Sequence, residues 1–326
     1  PLLKKMKIPV WGGIFPEVIY DGSRYKQGIV GCAFKSPVSI EVIKNLNDFK
    51  GVLPETLISK NTETFFILND GWVNNIPLLI ETLYEMSARE ITFIGGGSGS
   101  LIDMKRPSLF TSNDYFAGGA IISSIEDYIS IGVNHGWQTI YGPCTASSVN
   151  KHILTSIDWE PAFKYYKKIV EKDAGVKLTK DNFLEVAKSY PFGILKYDNE
   201  IILRVPIEFD AENNILLSSE MPENSILMIM KGEPEKLISA AGLAIEQAKT
   251  SFENRKKTSP TIALIIDCIT RALFLEDRFE DELKIIETKA GTGVLLFGFL
   301  SLGEIASKGD KYIELYNKTV VIGMGE

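Results

Sequence analysis

The run G-F-L-S-L-G-E-I at Gly298–Ile305 follows a short apolar stretch, Val294–Phe297, and precedes a polar turn and a second apolar stretch, Thr319–Ile322. Strand, glycine-bounded turn, strand is the order this imposes, because glycines at both ends let backbone pass close to a neighbour. One carboxylate, Glu304, stands at a strand end, where scaffolds present binding groups. Much of the chain repeats this unit.

Phe65–Asn69 is an apolar strand ending at Asp70. The spacing of Ile76, Leu79, Ile80, Leu83 and Met86 predicts a helix over Asn74–Met86, with Asn74 as N-cap and Pro77 tolerated in the first turn. Ile91–Ile94 then runs into Gly95-Gly96-Gly97-Ser98-Gly99, and Tyr115–Ser123 returns as a strand. Downstream, Thr261–Ile266 ends at Asp267, a helix is striped by Leu275, Phe279, Leu283 and Ile286, and Val294–Glu304 and Thr319–Ile322 close the copy. Ile8–Phe34 reads as the second half of a third copy, with Glu17 where Glu304 stands. This repetition predicts an α/β fold with some α+β character: two pseudo-symmetric halves, each a mixed sheet with helices packed on it. A cleft where strand ends face each other would be the ligand site.

Elsewhere, Pro1–Lys7 reads as the tail of a helix, Ile8–Gly12 and Gly28–Phe34 as strands, Val38–Asn47 as a short helix and Lys50–Thr62 as a loop. Tyr128–Val133 is a strand, and Trp159–Lys172 and Asp181–Ser189 are helices. A domain boundary is expected within Asp173–Thr179, dividing the chain into 1–175 and 176–326. Gly193–Tyr197, Glu200–Pro206, Asn214–Leu217 and Ile226–Met230 read as antiparallel strands with turns at Asp198-Asn199 and Asn213-Asn214. Pro234–Phe252 is a long helix whose Ala240, Ala241, Ala244 and Ala248 predict close packing on a sheet.

The formal charge of −7 argues against nucleic acid as a partner, since no basic excess exists to neutralise phosphates. The longest apolar runs are strand-sized, which argues against a membrane span. Cys32, Cys144 and Cys268 are scattered, as expected in a reducing cytoplasm, and two histidines exclude a His-rich metal cage. The sequence begins at Pro1 without a Met, so further N-terminal sequence is expected to precede it.

Gly95–Ser100 lacks the G-K-[ST] ending of a phosphate-cradling loop and reads as a tight turn or a close approach. His135, beside Gly136 and Trp137, reads as a structural histidine, with a metal or haem ligand as the alternative. Cys144 and Cys268 read as inert buried thiols, with a catalytic nucleophile as the alternative. Neither G-x-S-x-G nor H-E-x-x-H occurs, so no catalytic residue is assigned. Arg204 and Arg271 lie in apolar elements and need carboxylates, from the protein or from a ligand; Glu304 is one available partner.

Several stretches resemble the FIST domain family: I-D-C-I-T-R-A-L-F-L at Ile266–Leu275, G-F-L-S-L-G-E-I at Gly298–Ile305 and L-Y-N-K-T at Leu315–Thr319 for its C-terminal part. F-I-G-G-G-S-G at Phe93–Gly99, N-H-G-W-Q and Y-G-P within Asn134–Pro143, W-E-P-A-F-K-Y-Y at Trp159–Tyr166 and P-F-G-I-L at Pro191–Leu195 are similar to its first half. The resemblance implies an intracellular sensory module that binds a small ligand, such as an amino acid or a related anionic or zwitterionic metabolite. With no output domain in the chain, a signalling partner would act in trans. The expected ligand contacts are Arg204, Arg271, Glu304, Asn317, Gly298, Gly303, Gly95, Gly96, Gly97 and His135. The same resemblance offers a haem-linked nitric oxide sensor using His135 as the alternative.

Overall fold

The computed structural model describes residues 8–73, 75–87, 91–104, 106–196, 199–307 and 312–326. The expected helix tail Pro1–Lys7, the expected cap Asn74 and the turn residue Asp198 lie outside the described residues. In chain order the first strands are β1 (Trp11–Gly13), β2 (Val18–Tyr20), β3 (Ser23–Tyr25), β4 (Val38–Ile43) and β5 (Thr64–Asp70). Helix α1 (Ile76–Met86) follows, then β6 (Thr92–Ser98), β7 (Leu109–Thr111), β8 (Tyr115–Phe116), β9 (Ala120–Ile125) and β10 (Ser130–Asn134). The middle of the chain holds β11 (Gln138–Asn150), β12 (Ile153–Ile157), β13 (Glu160–Pro161), α2 (Ala162–Ala174), α3 (Phe183–Ala187), β14 (Phe192–Leu195) and β15 (Ile201–Arg204). After β16 (Pro206–Phe209), β17 (Ile215–Leu217), β18 (Ile226–Lys231) and α4 (Pro234–Lys256), the second repeat supplies β19 (Ile262–Cys268), α5 (Ile269–Leu275) and α6 (Phe279–Ala290). The last strands are β20 (Leu295–Ser301), β21 (Glu304–Ser307), β22 (Ile313–Tyr316) and β23 (Val320–Gly325).

Two compact units result. The first gathers Pro1–His135, Ile238–Leu273 and Asp277–Glu326; the second holds Gly136–Leu237 and Phe274–Glu276. The stretch Asp173–Thr179 falls inside the second unit, where α2 ends.

The repeat expected from sequence builds two sheets of the first unit. One has the order β22-β21-β6-β5-β9-β4, the other β3-β2-β20-β19-β23-β10. In each, two parallel strands joined through helix (β5 with β6, β19 with β20) form the centre, and antiparallel strands flank them. Gly95 pairs with Ile67 in the first sheet as Gly298 pairs with Ile265 in the second. At both glycines an added Cβ would land on the carbonyl oxygen of that isoleucine, so only glycine fits. The repeat is therefore equivalent residue by residue.

That equivalence shifts two sequence correspondences by one position. Asn69 pairs with Gly97 and Asp267 with Leu300, so Asn69 matches Asp267, and Asp70 matches Cys268. Ile19 pairs with Gly298 as Ile305 pairs with Gly95, so Val18, not Glu17, matches Glu304. A one-residue slip moves a side chain to the other face of the sheet. The β2–β3 hairpin is not part of a third copy: it edges the second sheet as β21–β22 edges the first. The hairpin that follows β20 in sequence thus completes the sheet of the other repeat, and Ile305 and Ile313 join the core of Phe65, Ile67, Leu79, Leu83 and Ile122.

Three local expectations are corrected. Val38–Ile43 is strand, since Val38, Ile40 and Val42 alternate with Ser39 and Glu41 and pair with β9. Gly28–Phe34 forms no strand; its Ile29 is fully exposed, and the strands lie earlier, in β2 and β3. Gly95–Ser98 is not a turn but the C-terminal part of β6. The alanine face of α4 is buried as expected, with Ser130 Oγ of β10 donating to the Ala248 carbonyl at 2.7 Å.

The second unit is antiparallel throughout, ordered β15-β14-β18-β11-β12-β17-β16 with β13 beside β12. Its core is aromatic: Phe163 stacks on Phe209 at 3.6 Å, and Phe183 meets both edge-on. The long β11 is invisible to pattern reading because Gly142-Pro143 interrupts it, and register shifts around Tyr141 absorb the interruption.

Candidate functional site

At the carboxyl ends of β19 and β20, polar and ionisable side chains of the second repeat and Glu304, on β21 of the first sheet, gather out of solvent contact. Asp267, Arg271, Glu282, Ser301 and Glu304 are each 0% exposed. Asp267 and Cys268 end β19, Ser301 ends β20, and Glu304 opens β21 after the turn at Gly303, whose φ of 91° glycine accommodates. Arg271 projects from α5 one helical turn past Asp267, and Glu282 from the apolar face of α6.

Arg271 is the hub. Its Nε and Nη2 donate to the two oxygens of Glu282 at 3.0 and 2.7 Å, a bidentate pair. Its Nη1 donates to the carbonyls of His135 at 2.6 Å and Lys318 at 3.3 Å. Nε also lies 3.2 Å from Asp267 Oδ1, an ion-pair distance, but its N–H points at Glu282 and neither oxygen of Asp267 accepts a hydrogen bond. Burial therefore drives the Asp267 pKa well above the usual carboxylate range, the Glu282 charge pushes it further, and Arg271 only partly opposes them.

Glu304 accepts from Ser301 Oγ at 2.7 Å and from the Thr319 amide at 3.4 Å. Burial raises its pKa to about 8 against the pull of these donors. The Cys268 thiol, 3.0 Å from Thr270 Oγ1, is pushed up to about 12 by burial and by Glu304. In the second unit, burial and Asp158 raise Cys144 to about 11. Both thiols are held as weak nucleophiles at neutral pH.

Of the residues expected at the site, the structure brings together Arg271, Glu304 and the backbone of His135, with Gly303 and Asn317 on the adjoining turns. Asn317 offers its carbonyl to Thr319 Oγ1 at 2.9 Å. Arg204 sits in the second unit, where its Nε donates to the Glu220 carbonyl at 2.8 Å. Gly95 and Gly298 lie in mid-strand, close against β5 and β19, and Gly96 faces Ser301 and Ile266. Gly97 and Leu302 exchange backbone contacts, the Leu302 amide donating to the Gly97 carbonyl at 2.8 Å.

Sequence reasoning missed Glu282, Ser301 and Thr319. Glu282 carried a signal: it lies between Phe279 and Ile286 at helical spacing, a carboxylate on a stripe otherwise apolar. Ser301 and Thr319 carried none, because a hydroxyl at a strand end is commonplace.

Among the described residues the carboxyl ends of β5 and β6 carry no such cluster. Asn69 stands at the Asp267 position with Val73 four residues on, and shares its face of β5 with the core residues Phe65 and Ile67. Asp70 is tied by amides, accepting from Trp72 at 3.0 Å and Gly118 at 2.8 Å.

No helix among the described residues is long and apolar enough to cross a membrane. No curated protein matches the chain. Residues 2–160 match the FIST N domain and residues 162–307 the FIST C domain, a pair associated with small-ligand sensing in signal transduction. The two matches adjoin and cover nearly the whole sequence: the chain belongs to the FIST family.

Proposed function

We propose that this chain is a binding protein that senses a small metabolite, and that its ligand engages the ends of β19 and β20 around Asp267, Arg271, Glu282 and Glu304. The observation that carries this reading is the contrast between the two sheets. Equivalent strand ends carry one buried carboxylate, Asp70, satisfied by backbone amides, in one copy and a linked cluster of buried ionisable groups around Arg271 in the other. Buried ion pairs contribute little net stability relative to apolar packing, so their presence in one copy has a use beyond holding the fold. Carboxyl ends of parallel strands are also where α/β sheets receive ligands, and carboxyls with raised pKa mark functional sites. Thr270 and His135 are only half-buried, so the cluster lies about one residue below the surface.

Binding without catalysis is the better reading because both buried thiols are held protonated. Free cysteines fit a cytoplasmic setting. A thermal-shift screen of metabolites against the native chain, Ser301→Ala and Glu304→Gln tests the site. Hits are expected to weaken in both variants. Hits that stabilise all three proteins equally would place the ligand elsewhere.

A further inference from the structure

Gly28–Phe34 carries strand-forming residues, Ile29, Val30 and Phe34, and runs without a turn or bend, yet it belongs to no sheet. It links β3, the edge strand of the second sheet, to β4, the edge strand of the first. Among the described residues, no backbone amide of this stretch donates a hydrogen bond. Of its carbonyls only that of Ala33 accepts one, from the neighbouring Cys32 thiol.

Both ends of the stretch are held. Gly28 lies beside Val18 of β2, and the Phe34 ring stacks on Trp11 of β1 with centroids 6.1 Å apart. Val30 and Phe34 are half-buried, whereas Ile29, Gly31, Cys32 and Ala33 are exposed, Ile29 fully. A Cβ added at Gly31 would meet nothing within 4 Å, so the middle is open. A row of unpaired amides and carbonyls beside apolar side chains is a template for another strand. Proteins usually blunt such an edge with charge or proline, and neither interrupts Gly28–Phe34.

Charge decides the partner. Gly22–Ile40 contains Arg24, Lys26 and Lys35 and no acidic residue, in a chain whose net charge is −7. Arg24 already faces Glu17 at 3.7 Å, and Asp127, which approaches the stretch, accepts from Ser36 Oγ at 2.5 Å. Lys26 and Lys35 flank the apolar run and enter no ion pair among the described residues. Two copies pairing antiparallel about the middle of the run would set lysine near lysine at both ends. An acidic strand would match them.

We propose that Gly28–Phe34 is a docking strand for another protein, whose extended segment, apolar in the middle and acidic at its ends, pairs alongside it. Main-chain hydrogen bonds supply affinity, and the two lysines fix register and choose the partner. The surface contains none of the strand-end cluster, so it stands apart from the ligand reading.

Hydrogen exchange on the full chain, read by mass spectrometry, tests it with two capped peptides as long as Lys26–Lys35. Both alternate valine and threonine; one carries glutamate at each end, the other lysine. In the free chain the amides of Gly28–Phe34 are expected to exchange at exposed rates. The glutamate-ended peptide should slow them about tenfold or more, and the lysine-ended peptide should leave them unchanged. Lys26→Glu with Lys35→Glu should invert that preference. Val30→Pro removes an amide the fold does not use, so it should abolish protection by the glutamate-ended peptide and leave the melting temperature in place. Amides already protected in the free chain would mean that the stretch is covered, and protection that grows with protein concentration alone would make a second copy its partner. Either result overturns the proposal. So does equal protection by both peptides, protection by neither, or protection that survives Val30→Pro.

Discussion

The two six-stranded sheets of the first unit share strand order and register, yet they close their strand ends by opposite means. In the first, the gap between the end of β4 and the start of β9 is spanned by backbone, with the Leu46 amide donating to the Gly118 carbonyl at 2.7 Å. Asn75 Nδ2 then secures the Leu46 carbonyl at 2.8 Å. In the second, one guanidinium spans the equivalent gap, from the His135 carbonyl after β10 to the Lys318 carbonyl before β23. A buried arginine needs a buried carboxylate, so Glu282 follows from Arg271. The fold is indifferent to the choice, and that indifference makes the charged end informative.

The shared scaffold can be broken in the same way at both copies. Gly95→Val and Gly298→Val each drive a side chain into the neighbouring strand's backbone. Each is expected to cost more than about 4 kcal/mol or to abolish soluble expression, read by denaturant unfolding. If one is tolerated and the other is not, the residue-level equivalence of the sheets fails there.

The charged end breaks asymmetrically. Glu282→Gln strips Arg271 of its bidentate partner, and a loss of about 3–5 kcal/mol is expected. Replacing the set with apolar groups, Asp267→Asn with Arg271→Met and Glu282→Leu, copies the logic of the first sheet. It is expected to be neutral or to stabilise by about 1–4 kcal/mol while ligand response is lost. A triple variant as unstable as the single one would mean that the charges hold the fold.

Glu304 sharpens the contrast through pH. Its folded pKa of about 8 exceeds the ordinary 4.5, so the native state keeps a proton that the unfolded chain releases. The stability it confers is full below pH 4.5 and is lost as pH rises through about 8. Glu304→Gln is expected to flatten that decline by roughly 3 kcal/mol or more, measured as unfolding free energy at pH 5 and pH 9.

How much of this was legible in the sequence follows from the range of each interaction. The repeat was legible because strand, helix and glycine recur at matching intervals, and β5, α1 and β19 lie where apolar periodicity put them, whereas β20 runs on through Gly298 to Ser301, a stretch that the glycine made read as turn. Arg271 and Glu304 stood out as charges in apolar surroundings. The partner of Arg271 did not, because Glu282 reaches it across two helices and no local pattern encodes that contact. The registers that align Asn69 with Asp267 and Val18 with Glu304 depend on which strands pair, and the hairpins cross between sheets, so sequence spacing alone misplaced both by one residue. β11 was hidden for a different reason: glycine and proline in mid-strand read as a break until β18 is seen beside it.

The smallest expected effect probes the comparison from its apolar side. Asn69 already occupies the Asp267 position, with its Oδ1 unpartnered and its Nδ2 donating to the Asp70 carbonyl at 2.9 Å. Asn69→Asp would place a buried carboxyl at a position where Val73, and not an arginine, stands four residues on. The acid form should fit, losing only the amide donor. The ionised form should not, so the carboxyl stays protonated in the native state and stability falls as pH rises above the ordinary carboxylate pKa. A loss of about 2 kcal/mol at neutral pH, largely recovered at pH 4, is expected from thermal unfolding. The same loss at both pH values would trace the effect to the missing amide hydrogen bond and not to charge. Full tolerance at neutral pH would mean that the first sheet can house a second buried carboxylate beside the amide-capped Asp70, and the asymmetry that singles out the β19 and β20 ends would lose its force.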